Sequence, residues 1–272
     1  MSSLLAVLSS LTWGVADYVG GVTSSRVPPM VVVLWSQAVG FIVVVVSSVV
    51  SGGSLDGRSA VWGAAAGLGG GIGLAGLYHG LATGRMAIVA PTSSVVAAGL
   101  PVIVGIALGE RPDVLALTGI ALALPALWLT SRADSGPIGR RGWAPALVAG
   151  VGFAAFFIFL DRASEVAGLW PLVAARSTSV VMMALLLAGL RRPIRVVAAA
   201  VPGIVVAGSG DMVANILFLL AVQTGMLSVV AVLASLYPVV TVVLARVFGE
   251  DVSPTQWAGV MLSVVAVGLI AV

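Results

Sequence analysis

The sequence predicts an all-α membrane protein, with ten transmembrane helices arranged as two inverted five-helix repeats. Three observations predict it. Of 272 residues, 60% are apolar and only 8% charged, against roughly a quarter charged in a soluble domain. Ten apolar runs approach the roughly 20 residues that a spanning helix needs. The two halves of the chain also repeat one another in Gly and Glu positions.

The runs, broken at charges, Pro and Gly clusters, fall at 2–22, 29–50, 60–82, 87–108, 113–131, 143–161, 170–190, 197–222, 226–247 and 255–272. The first superficially resembles a signal peptide. It has no basic leading segment, and Asp17 interrupts it without a clear cleavage site, so it reads as a retained span. Connecting loops such as 51–59 and 191–195 are too short to hold a soluble domain. The longest polar loop, Ser131 to Gly142, lies at the midpoint. It divides the chain into a first repeat (1–131), a linker (132–142) and a second repeat (143–272).

Two blocks carry the repeat. Residues 84–90 match 225–231 at an offset of 141, and Gly109-Glu110 with Gly119 match Gly249-Glu250 with Gly259 at an offset of 140. An odd number of spans per repeat returns the chain on the opposite side of the membrane, so the second half inserts upside down. Inverted repeats of this kind place a substrate site near the midplane between the halves.

Ten short spans, a Gly-Glu closing spans 4 and 9 with a Gly about ten residues on, Trp13-Gly14 in span 1, and Pro171 followed by Arg176 in span 7 resemble the EamA family of the drug/metabolite transporter superfamily. Leu34 stands where the span-7 pattern has Arg176, so that Arg has no counterpart in the first half. The resemblance implies transport, often export, of small metabolites, amino acids or drugs by alternating access, with a central cavity lined by spans 1, 3, 4, 6, 8 and 9. Alternatives are a flippase for lipid-linked sugars or headgroups, and a non-transporting scaffold subunit. With one His and no Cys, an intramembrane enzyme, a multi-histidine metal site and thiol chemistry are not expected. No cofactor is expected. No Gly-Lys-Ser/Thr phosphate loop is present, so energy would come from a gradient.

Ionisable residues inside spans cost about +2.5 to +3.5 kcal/mol each near a helix centre and mark function by default. Asp17, His79, Arg176 and Asp211 qualify, with Gln37, Asn215, Thr92, Ser93 and Ser94 as polar companions. Asp211 and Asn215 are four apart and share a helix face near the middle of span 8, where an ammonium or hydroxyl group would be bound. The competing reading is a polar pair joining helices. Trp13 and Asp17 share a face of span 1, an aromatic beside a carboxylate that suits a cationic or amphipathic ligand. His79 has the ordinary pKa nearest neutrality and is a candidate for proton exchange with Asp17, against a plain headgroup-level position. Arg176 either anchors an anionic group or neutralises Asp17 or Asp211. The candidate substrate-binding set is therefore Trp13, Asp17, His79, Arg176, Asp211 and Asn215.

Glu110 and Glu250 read as structural groups, capping the helices that follow them. The Gly-x-x-x-Gly series in span 3 predicts close packing, with span 4 as the expected neighbour. Pro91 and Pro101 in span 4 and Pro238 in span 9 predict kinks.

All 13 basic residues are Arg, scattered singly or in short groups, so the pI of about 10.2 does not indicate nucleic-acid binding. Loops after odd spans hold nine Arg and loops after even spans three. This places the odd loops in the cytoplasm and both termini outside, whereas the resemblance implies cytoplasmic termini. The expected location is the cell membrane, multi-pass. Expected partners are a small-molecule substrate and the lipid bilayer, with a coupled proton and a second copy of the chain as candidates.

Overall fold

The computed structural model describes residues 1–83, 86–131, 143–163 and 165–271. Ten helical segments are long and apolar enough to cross a membrane. Nine are single helices: α1 (Ser2–Thr23), α2 (Pro29–Ser51), α3 (Gly57–Thr83), α4 (Met86–Ala107), α5 (Val114–Ser131), α6 (Trp143–Asp161), α7 (Trp170–Gly189), α8 (Val201–Thr224) and α11 (Pro254–Ala271). The ninth span is broken into α9 (Leu227–Ser235) and α10 (Tyr237–Val247). Pro238 cannot donate to the helix ladder and sits in the first turn of α10, so the helix restarts there. Pro91 and Pro101, by contrast, lie inside an assigned α4 that is continuous. No strand occurs among the described residues, and the expected linker 132–142 lies outside them.

The fold is two inverted five-helix halves that interleave rather than stand side by side. α1 packs chiefly on α8, and its counterpart α6 chiefly on α3. α4 lies on α6, as α9 and α10 lie on α1; α2 contacts α7 and α8, and α5 pairs with α11. Each of these contacts joins one half to the other. By comparison, sequence neighbours such as α1 with α2 and α3 with α4 touch only lightly.

In lipid, helix association rests on close packing, and small residues permit it. The glycines of α3 serve this role, although not toward the expected partner. A Cβ at Gly63 or Gly67 would run into the backbone carbonyls of Pro171 or Ala175 in α7. On the adjoining face, Gly69, Gly73 and Gly76 lie against Gly152, Phe153 and Ala149 of α6. The expectation of span 4 is corrected: α3 is clasped by two helices of the other half. α8 makes the equivalent approach where Gly208 meets the Ser36 carbonyl of α2. The repeat-marking Gly119 and Gly259 sit at the α5–α11 crossing, each where a side chain would strike the opposite backbone.

The Gly-Glu motif is a helix terminator used twice. Gly109 (φ 103°) and Gly249 (φ 91°) adopt the left-handed conformation that closes a helix without a Cβ penalty. The amide of Glu110 then donates back to the Gly105 carbonyl at 3.0 Å, and that of Glu250 to Ala245 at 2.9 Å. Neither Glu caps the helix that follows it, which corrects that expectation. Asp113 caps α5 through the Ala116 amide (2.7 Å), and Ser253 and Gln256 form a reciprocal box at the start of α11.

Gly67→Val should therefore lower the yield of monodisperse protein and its thermal midpoint sharply. Gly21→Ala, which introduces a methyl with nothing within 4 Å, should leave both unchanged. Size-exclusion profiles and thermal unfolding in detergent check the pair.

Candidate functional site

The interleaving leaves a central cavity of about 540 Å³ between the halves. Its walls come from spans 1, 3, 4, 6, 8 and 9, as expected, and also from spans 2 and 7. Trp13, Asp17, Arg176, Asp211 and Asn215 all line it. Five residues from three separate spans, α1, α7 and α8, thus share one space. His79 is exposed near the end of α3 and is not among the lining residues.

Asp211 is the centre of the polar cluster. One carboxylate oxygen accepts the indole N–H of Trp13 at 3.0 Å, and the other accepts an Nη2–H of Arg176 at 2.5 Å. The ion pair links α7 to α8, while the indole bond links α1 to both. Of the roles considered for Arg176, neutralisation of Asp211 is the one this geometry displays. The guanidinium lies beside Gly40 of α2, where a methyl group would sit 3.6 Å from its carbon. Its side chain is 11% exposed and that of Asp211 33%. The pair is therefore shielded on the Arg side and reachable from the cavity on the Asp side. Removing one member would leave a charge without its counter-ion inside the membrane.

The companions are largely engaged. The Asn215 amide donates to the Asp211 backbone carbonyl at 2.6 Å, one turn back along α8. That bond follows from their four-residue spacing. Ser179 donates its hydroxyl to the Gln37 side chain at 2.5 Å, tying α7 to α2, and the Tyr237 hydroxyl interacts with Ser94. Asp17 differs. It faces the cavity, is exposed there, and makes no hydrogen bond or ion pair among the described residues.

The rest of the wall is apolar and aromatic. Trp13 stands amid Phe157, Phe218 and Tyr237 with ring centroids 5.9, 6.1 and 6.3 Å away, and Phe153 and Phe156 continue the surface. Residue-by-residue reading missed Ser179, Tyr237 and the α6 phenylalanines. Ser179 carried a signal, lying one turn beyond Arg176. Tyr237 reaches the site because the break before Pro238 exposes the start of α10 to the cavity.

The two faces of the molecule differ. Toward the face bearing the odd-span loops, the lining continues along α1 to Ser24, starts in α2 at Pro29 and reaches Leu77 in α3. Toward the opposite face it ends at Trp13 in α1 and Ser235 in α9, and reaches Phe157 in α6 and Leu172 in α7. On that side Glu110 joins the halves: its two oxygens accept the backbone amides of Leu227 (2.6 Å) and Ser228 (2.9 Å) at the first turn of α9. An acidic group on a helix N-terminus satisfies unpaired amides and complements the dipole. Here it spans the two halves, and every residue of α9 is buried. Its repeat mate Glu250 is exposed, and its carboxylate makes no hydrogen bond or ion pair among the described residues.

Ten spans in two inverted halves around one cavity is the architecture of a multi-pass membrane transporter. The chain belongs to the EamA-like transporter family, whose model matches residues 1–132 and again 141–272. No curated protein matches it. A solved structure, described only as "Crystal structure of protein", superposes with a TM-score of 0.82 over 98% of this chain and 95% of that one. At 18% identity that likeness concerns the fold alone.

Arg176→Met should lower the thermal midpoint more than Asp17→Asn, because it strands the Asp211 carboxylate whereas Asp17 has no hydrogen bond or ion pair to lose among the described residues. The double variant Arg176→Met/Asp211→Asn should recover part of the loss. Thermal unfolding of the four proteins in one detergent tests this coupling.

Proposed function

We propose that the chain is a secondary transporter of the cell membrane that carries a small molecule through this cavity by alternating access. One observation supports the reading above the others. The cavity lies between inverted halves, its lining runs furthest along α1 and α3 toward one face, and on the other side a Glu110 contact joins the halves. The volume suits a drug- or metabolite-sized ligand. Trp13, Asp17, Arg176, Asp211 and Asn215 are the proposed contact residues; His79 lies outside the cavity and has no role in the proposal.

The repeat supplies a second state by symmetry. Glu110 stands on the first turn of α9, and the corresponding segment of the first half begins α4. In the opposite state Glu250 takes the equivalent place on α4 while Glu110 releases α9. Because the halves are alike, the two states are close in energy, and a bound ligand has only to shift a near-balanced equilibrium. With the Arg-rich odd loops in the cytoplasm, the open face is cytoplasmic and the present state is the loading state of an exporter.

The chain has no Cys, so single cysteines report on a clean background. Ala97→Cys, in the cavity wall, should react with membrane-impermeant thiol reagents in both right-side-out and inside-out vesicles. Glu110→Gln should raise the rate from the face that is closed here and lower it from the other. Reaction from one face only, in both backgrounds, would contradict alternating access.

A further inference from the structure

The charges of the cavity do not cancel. Arg176 is its only lining cation among the described residues, and it is held by Asp211. Both Asp211 oxygens are engaged, one by Arg176 and one by Trp13. Asp17 remains, and the protein gives it no counter-charge and no hydrogen bond among the described residues. A carboxylate in a membrane-embedded cavity requires a partner. Here the space beside it is clear. Gly21, one turn on, has nothing within 4 Å of where a side chain would begin, and Gly20 has only the Ala207 methyl at 3.8 Å.

The surroundings narrow the chemistry. Trp13, one turn before Asp17 on the same helix face, and Tyr237 present aromatic rings to the same cavity. Such faces attract cations and bury apolar groups. The polar groups best suited to hold a hydroxyl-rich or carboxylate-bearing ligand are bound to one another: Ser179 to Gln37, Asn215 to its own helix, Tyr237 to Ser94. A ligand carboxylate would find Arg176 taken and Asp17 repelling it.

We propose that the cavity selects monovalent organic cations with an apolar or aromatic body, and that Asp17 is their counter-ion. This rests on the transport reading of the same cavity. The test uses purified protein in nanodiscs and proteoliposomes with four probes of similar size. They are benzyltrimethylammonium (cation), phenylalanine (zwitterion), 3-phenylpropanoate (anion) and benzamide (neutral). The cation should bind and enter saturably, at least about tenfold more tightly than the other three. Asp17→Asn should weaken it by about tenfold or more, and Asp17→Glu should retain most of the affinity. A size-exclusion profile like that of the native protein confirms that the variants fold.

Preference for phenylalanine or phenylpropanoate, or an unchanged cation affinity in Asp17→Asn, would overturn the proposal. So would binding of none of the four. In each case transport itself stands or falls separately, on whether Ala97→Cys is reached from both faces.

Discussion

Everything in this structure depends on backbones of opposite halves approaching one another without intervening side chains. Water supplies no hydrophobic drive between helices inside lipid, so contact area and small residues must hold the bundle. Gly63 and Gly67 against α7, Gly69 and Gly73 against α6, and Gly208 against α2 provide that approach. The consequence is architectural. Because the tightest contacts run between halves, neither half is a self-contained bundle, and a cavity enclosed by both is the natural residue of the arrangement.

Polar interactions are added to that frame sparingly and at defined heights. At mid-depth, Asp211 collects Trp13 from the first half and Arg176 from the second. The cost of an ionised group in the membrane is thereby offset for two of the three Asp and Arg residues that line the cavity among the described residues. At one face, Glu110 converts the two amides of Leu227 and Ser228 into an anchor between halves. The symmetric residue Glu250 has its helix-terminating turn but no such engagement among the described residues. The two copies of one motif thus have the same local backbone and opposite long-range roles in this state.

Much of this was legible in the sequence. Span positions follow from apolar run length, and the helices begin and end close to the predicted bounds. The repeat was visible because Gly and Glu stand out against an apolar background. Their common cause is local: a left-handed terminator followed by an acidic group. What the sequence could not convey was which helix meets which. Span 4 was the expected neighbour of the α3 glycines because it is next in the chain, yet interleaving places α6 and α7 there. Glu110 was expected to cap the next helix, but the first turn it reaches begins 117 residues later. Asp17 and His79 were paired as candidates for proton exchange, with nothing in their spacing to show that Asp17 lines the cavity and His79 does not. Tyr237 became visible only with the helix break. Each gap is a matter of long-range geometry, on which residue spacing is silent.

The central claim is that the two faces open and close in opposition, governed by Glu110 and its repeat mate. It is tested most directly by pulsed electron–electron double resonance on the protein in nanodiscs. Paired spin labels would stand at Arg111 and Thr224 on the closed face, and at His79 and Asp251 on the open face. Glu110→Gln should lengthen the first distance distribution and shorten the second. Distributions unchanged at both faces, or shifted in the same direction, would contradict a clamp that alternates between the halves.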